Sequence, residues 1–155
     1  MRTIHQWLNE YGESHTNEIN KLIHWICVPA IFFSITGLLY CVKLPFFIAD
    51  NLQLNVAMIV LLLTMIYYLS LSIKIGIGML LFGFICLGLC YFLETVLPFP
   101  LWIFCIAMFV LAWIGQFYGH RVEGKKPSFF KDIQFLLIGP MWLMSFVYKK
   151  MGISF

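Results

Sequence analysis

The chain has 155 residues, of which 62% are hydrophobic and only 11% are charged. A soluble domain is typically about half apolar and about one quarter charged, so this composition indicates a single domain that lies in a lipid bilayer. The formal net charge is only +3, and the basic residues stand in small groups near the ends of apolar runs. That distribution is typical of membrane topology and argues against nucleic acid as a partner.

The first 21 residues are mostly polar and lack the apolar core of a signal peptide, so we expect no cleavable leader. Their apolar positions form one helical stripe, which predicts a helix lying on the membrane surface. The stripe consists of Ile4, Trp7, Leu8 and Tyr11. Gly12 and Ser14 are expected to end this helix. Either Ser14 or Asn17 is predicted to cap the next one, because their side chains can accept from free backbone donors.

Four apolar runs are each close to the roughly 20 residues that cross a ~30 Å hydrocarbon core. They cover residues 22–42, 54–72, 75–93 and 101–118. A shorter apolar piece, residues 133–148, is interrupted by Gly139 and Pro140 and is either a fifth span or a segment that re-enters from the same side. The sequence therefore predicts an all-α integral membrane bundle with four transmembrane helices, an N-terminal interfacial segment and this C-terminal piece.

The orientation follows from the basic residues in short loops. If the N-terminus is cytoplasmic, that side holds seven of them: Arg2, Lys21, Lys74, Arg121, Lys125, Lys126 and Lys131. The opposite side holds Lys43, with Lys149 and Lys150 added if the last piece crosses. We therefore predict an N-terminus on the cytoplasmic side of a bacterial inner membrane, or of the endoplasmic reticulum in a eukaryote. Four spans would place the N-terminal segment and the residues after the fourth span on the same face.

Three of the four histidines fall in these two polar regions: His15, His24 and His120. Imidazole is the commonest protein ligand for Fe, Zn and Cu near neutral pH, and polar side chains near spans are costly and often functional. His15 and His24 are nine residues apart, so they can share a metal only if a helix starts or bends between them. The fourth, His5, lies on the predicted surface helix and is expected to face solvent.

Polar residues at helical spacing accompany these histidines. Gln116, His120 and Glu123 share one face if the fourth helix continues. Asn20 precedes His24 by one turn. We predict that Asn20, Gln116 and Glu123 orient the imidazoles and fix their tautomers. Tyr11 either packs in the core or supplies a hydroxyl to the site.

Other chemistries lack their motifs. The five cysteines all lie in apolar runs, which argues against a disulfide framework. The chain has no HExxH sequence, no phosphate-binding glycine loop followed by Lys and Ser or Thr, and no dinucleotide fingerprint. A histidine-rich metal site at the lipid–water interface is the chemistry that the residues favour.

Two motifs resemble those of a known family. Residues 11–29 read YxxxHxNxxNxxxHWxxVP, and residues 113–127 read WxxQFxGHxxEGKKP. Together, in this order and with about four spans between them, they are similar to the Mpo-type 2-hydroxy fatty acid dioxygenases, small multi-span membrane proteins formerly catalogued as a domain of unknown function. The resemblance covers nearly the whole chain.

This resemblance implies an Fe(II)-dependent enzyme that uses O2 to cleave long-chain 2-hydroxy fatty acids between C1 and C2, shortening the chain by one carbon in fatty acid α-oxidation. The histidines of the family correspond to His15, His24 and His120, which are thereby implied to bind Fe²⁺. Such a substrate carries its tail in the bilayer and its carboxylate at the interface. We expect the carboxylate to be attracted by nearby cations. These are Arg121, Lys125 and Lys126.

Two other functions stay open at this point. In a b-type cytochrome, His24 and His120 on neighbouring helices would be axial haem ligands. In a non-enzymatic carrier or assembly protein, the polar cluster would bind an ion or a lipid headgroup, although charges at mid-membrane depth, which mark transport paths, are missing from the sequence. Association into homo-oligomers is compatible with all three functions.

Overall fold

A computed structural model describes residues 3–13, 15–50, 52–124 and 129–155. For residues 129–135 it describes the backbone alone. The described chain is a helical bundle with one two-stranded hairpin. Its elements are α1 (Ile4–Gly12), α2 (Glu18–Tyr40), β1 (Lys43–Ala49), β2 (Leu52–Asn55), α3 (Val56–Leu71), α4 (Ile73–Val96), α5 (Leu101–Glu123) and α6 (Phe129–Lys150). The prediction of an all-α fold is therefore correct for most of the described residues, but it did not include the hairpin.

Helix α1 begins at a reciprocal cap. The Thr3 hydroxyl accepts from the Gln6 backbone N–H, while the Gln6 side chain accepts from the Thr3 backbone N–H, which satisfies two backbone donors at the helix start. The predicted apolar stripe is present, and Ile4, Leu8 and Tyr11 are buried. Because α1 packs against α6, this stripe is buried within the protein.

Helix α2 begins between the first two histidines. The Asn17 side chain caps it by accepting from the backbone N–H groups of Ile19 and Asn20; the other predicted cap, Ser14, lies outside the described residues. The helix starts four residues before the predicted span and continues through Pro29 to Tyr40. His15 therefore precedes the helix and His24 lies in its second turn, as a shared site requires.

Three described helices, α2, α4 and α5, are long and apolar enough to cross a membrane. Helix α3 matches the predicted second span but has only 16 residues. Helix α5 extends beyond the predicted end at Tyr118 to Glu123. Helix α6 runs through Gly139 and Pro140 without a break, so these residues do not divide the C-terminal segment as expected; packed neighbours can stabilise a proline within a helix of a bundle.

The connection after α2 is a β-hairpin rather than an irregular loop. Its strands pair antiparallel, with Lys43 opposite Asn55 and Phe47 opposite Gln53. The Lys43 ammonium and the Tyr40 hydroxyl both donate to Glu94 of α4, at 3.0 and 3.1 Å. The hairpin thus closes the end of the bundle opposite to the histidines.

The most extensive helix packing in the described chain is between α2 and α5, and glycines permit it. A Cβ atom on Gly115 would lie 2.6 Å from the Cys27 sulfur, and one on Gly119 would overlap the Asn20 side-chain oxygen. Small residues at such positions let two backbones approach closely. This approach places the start of α2 directly against the end of α5.

Candidate metal centre

Three buried histidines meet where α2 and α5 come together. His15 comes from the link between α1 and α2, His24 from α2 and His120 from the last turn of α5, and each is at most 9% exposed. Their nearest ring nitrogens all lie within 4.8 Å of one another. In the part of the chain that the structure describes, no other group of three His, Cys, Asp or Glu side chains has such spacing.

The hydrogen bonds of two rings determine their tautomers. His15 Nδ1 lies 2.6 Å from the Tyr11 carbonyl oxygen, and His24 Nδ1 lies 2.9 Å from the Asn20 carbonyl oxygen. A carbonyl oxygen only accepts, so each Nδ1 must carry the hydrogen and donate it. In a neutral imidazole whose Nδ1 carries the hydrogen, Nε2 is an acceptor.

These two Nε2 atoms face each other at 2.9 Å. Two lone pairs at this distance repel unless a cation, either a proton or a metal ion, lies between or beside them. Two nitrogen ligands at roughly 2.1 Å from one ion, on adjacent coordination positions, are themselves about 3 Å apart. The donor set therefore fits a metal ion bound through Nε2 of both rings.

The ring orientations agree with convergence on one point. The planes of His15 and His24 make an angle of 77°, and those of His24 and His120 an angle of 89°. Imidazole nitrogens suit Fe, Zn or Cu, and three of them leave further coordination positions to other ligands. The described residues therefore fit a divalent metal of this group.

Glu123 links the end of α5 to the start of α2 through hydrogen bonds. Its Oε1 accepts from the Thr16 backbone N–H at 2.8 Å and from the Thr16 hydroxyl at 2.5 Å. Its Oε2 accepts from the Asn17 backbone N–H and the Asn20 side-chain amide, both at 3.0 Å. These four donors, together with the N-terminus of α2, favour a charged carboxylate. Glu123 thus holds the start of α2 and the segment beside His15. The sequence had suggested a contact between Glu123 and His120 instead.

Asn20 supports His24 through its backbone rather than its side chain. The carbonyl oxygen accepts from His24 Nδ1, whereas the side-chain amide donates to Glu123. The residue is fully buried, so its position is tied to the contact between α2 and α5. A rigid partner on the far nitrogen of a ligating histidine fixes its tautomer and direction.

Aromatic rings enclose His15 on its other sides. The Tyr11 ring stacks on it at 4.2 Å with an interplanar angle of 9°, and the Trp142 ring lies 5.4 Å away. Tyr11 therefore contributes its ring and its carbonyl to the site. Trp142 was not predicted, because a tryptophan in an apolar run carries no sequence signal that separates it from lipid-facing aromatics.

A cavity of about 50 Å³ adjoins the three histidines. Gln116 and Trp113 of α5 and Leu136 of α6 are among the residues that line it. A water molecule needs about 10–15 Å³ of such space, so the cavity can hold a few water-sized molecules or O2. The cavity therefore offers room for a small ligand beside the three histidines.

Of the three predicted cationic residues, the structure describes only Arg121. Arg121 is exposed and is not among the residues lining this cavity, while Lys125 and Lys126 lie outside the described residues. An open groove of about 450 Å³ reaches His15 from the other side and is lined by Lys21, Lys149 and Trp142. His5 is exposed, as the sequence predicts.

Comparison with known proteins gives one match. A family model described as "2-hydroxy-palmitic acid dioxygenase Mpo1-like" matches residues 1–151, which include both histidine motifs. No curated protein matches the chain, and no solved structure does.

Proposed function

The chain belongs to the Mpo1-like family, and we propose that it is an Fe(II)-dependent dioxygenase that cleaves 2-hydroxy fatty acids between C1 and C2. The observation that carries the proposal is the pair of Nε2 lone pairs of His15 and His24, 2.9 Å apart. With His120, they offer three ring nitrogens within 4.8 Å of one another in a buried pocket. When bound, iron would supply the electron transfer that lets O2 react and an attachment point for the hydroxyl and carboxylate oxygens of the substrate.

The role of the protein is to fix the ligands and exclude water. The carbonyls of Tyr11 and Asn20 hold two rings with Nε2 directed at the shared point. Glu123 anchors the start of α2 against α5. We propose that Gln116, which lines the cavity, hydrogen-bonds to the substrate or to O2, and that the Tyr11 hydroxyl borders the same space.

We further propose that α2, α3, α4 and α5 form four spans, with the N-terminus and the histidines on the cytoplasmic side. The 16 residues of α3 rise only about 24 Å, so this span would require local thinning of the bilayer. The histidines lie near the start of α2 and the end of α5, which supports a position near one interface. A fatty acid with its tail in the bilayer presents its carboxylate and hydroxyl at that depth.

The approach of the carboxylate is proposed to follow the groove beside His15. Lys21 and Lys149 line this groove together with Glu13, so the two ammonium groups and one carboxylate leave its walls with a small excess of positive charge. Arg121, Lys125 and Lys126 are proposed to add to the positive surface potential that attracts the anionic substrate.

A haem is less compatible with this geometry than a single ion. The rings of His24 and His120 lie 5.3 Å apart at 89°, and the adjoining cavity is about 50 Å³, which is far smaller than a porphyrin. The carrier alternative differs in a measurable way, since it predicts no consumption of O2 with any lipid.

The test is turnover by the purified chain after anaerobic loading with Fe(II). We expect 2-hydroxypalmitate to stimulate O2 uptake and to yield the acid with one carbon fewer, with ¹⁸O from ¹⁸O2 in its carboxylate. Palmitate, which lacks the hydroxyl, is the matched control and should yield neither. If 2-hydroxypalmitate produces no O2 uptake after loading, the proposed activity is wrong.

A further inference from the structure

A second cavity, of about 130 Å³, lies deeper in the bundle between α2, α3 and α6. Its walls are almost wholly apolar. The two polar side chains that line it are Thr36 and Thr64, and their hydroxyls donate to carbonyls of their own helices, at 2.9 and 2.7 Å. The surface presented to an occupant is therefore hydrocarbon-like.

The two cavities follow one another along the same side of α2. His24, Val28 and Ile31 line the first. Ile35 and Leu39 continue that row at helical spacing and line the second. Leu136 of α6 lines both cavities, so its side chain forms the wall between them.

The length of this row suits a long acyl chain. Between His24 and Leu39, α2 rises about 22 Å. Half of a ~30 Å hydrocarbon core, the depth that one leaflet of acyl chains fills, is about 15 Å. A chain held by its polar end at the histidines could therefore extend past Leu136 into the second cavity.

We propose that the acyl tail of the substrate lies inside the bundle, in this second cavity, rather than in the surrounding lipid. The inference rests on the proposed function and adds the position of the tail and the residues that limit its length. Leu136 must move aside to admit the tail. Ala57 of α3 is 1% exposed and lines the cavity, so its small side chain leaves the space that the distal methylenes fill.

The first test fills the cavity with Ala57→Phe. In the full-length, iron-loaded protein, we expect kcat/KM for 2-hydroxypalmitate to fall by about 10-fold or more, because the phenyl ring occupies the tail's place. The value for 2-hydroxyoctanoate, whose tail is too short to reach Ala57, should stay within about 2-fold of wild type. The matched control is Leu63→Phe on the same helix, where the side chain is 60% exposed, and it should change neither value.

An equal loss for both substrates, or no loss for either, would overturn the proposal.

If the wild-type protein converts neither acid, the proposed function fails, but the location of the tail is still tested by labelling. For this purpose the metal-free wild-type protein is irradiated with a 2-hydroxy fatty acid that carries a diazirine in its distal half.

With the labelled residues identified by fragmentation of the peptides, we expect the label on cavity residues such as Ile35 and Leu61, and we expect excess 2-hydroxypalmitate to suppress it. Labelling confined to outward-facing residues such as Leu62, which is 64% exposed, would show that the tail lies in lipid and would overturn the proposal.

Discussion

His15 and His24 direct their Nε2 atoms at each other across 2.9 Å, while each ring donates its Nδ1 hydrogen to a backbone carbonyl. Two lone pairs at this distance repel unless a proton or a metal ion lies between or beside them. A bound metal ion would remove this repulsion and would link the segment before α2 to α2 itself. Stability and metal content should therefore change together.

Metal binding is expected to raise the melting temperature. A ligand that binds only the folded state at 100 times its Kd stabilises it by about 2.7 kcal/mol. Thermal unfolding in detergent, followed by intrinsic fluorescence, should show a clear upward shift with Fe(II) under anaerobic conditions, or with Co(II) in its place. His120→Ala should lose most of this shift, whereas the exposed His5→Ala should keep it. Equal shifts in the two variants would speak against the three-histidine site.

Glu123 is expected to act as a positioning residue. Glu123→Gln removes the negative charge to which four donors hydrogen-bond. Metal affinity should therefore fall roughly 10- to 100-fold, as it does when other groups that orient metal ligands are replaced. Since the carboxylate is partly exposed, the cost in stability should be only about 1–2 kcal/mol. Metal titration and chemical denaturation measure the two quantities separately.

The control for this variant is Glu18→Gln. Glu18 also lies at the start of α2, but its partner is Lys21 on the surface, at 2.8 Å. Exposed ion pairs contribute about 0–1 kcal/mol, so both measurements should remain near wild type. A Glu123→Gln variant with unchanged metal affinity would contradict the positioning role.

Gly119 is expected to tolerate no side chain. A methyl group there would overlap the Asn20 side-chain oxygen, and Asn20 is the residue whose carbonyl holds His24. Gly119→Ala should therefore destabilise the protein by about 1–3 kcal/mol and reduce metal retention. Gly88→Ala is the matched control because open space surrounds that position. It should be neutral or stabilising by about 0.4–1 kcal/mol.

If Gly119→Ala retained full metal content and stability, the close contact of α2 with α5 would be unnecessary for the site. The denaturation midpoint and the metal content of Gly119→Ala, measured on the same preparations, test this prediction.

Local sequence patterns predicted much of the site's framework. The spacing of Gln116, His120 and Glu123 places them on one helix face, and α5 does continue to Glu123. Asn17, one of the two predicted caps, does begin α2, and that start allows His15 and His24 to approach. These features depend on neighbours within one or two helical turns, which a sequence records directly.

Tertiary contacts were not predictable in the same way. The partners of Glu123 lie 103–107 residues away in the chain, so their identity depends on how α2 and α5 pack. Trp142 reaches His15 only because α6 stays helical through Pro140. The hairpin was missed because its first strand contains a proline, a residue that disfavours the assignment of a strand.

The most direct test of the central claim is the iron content of anaerobically purified protein. We predict about one iron per chain in the wild type and in His5→Ala, since three converging imidazoles form one site. His15→Ala, His24→Ala and His120→Ala should each retain little iron while still inserting into membranes. Wild-type iron content in His120→Ala would contradict the assignment of these histidines as the metal ligands.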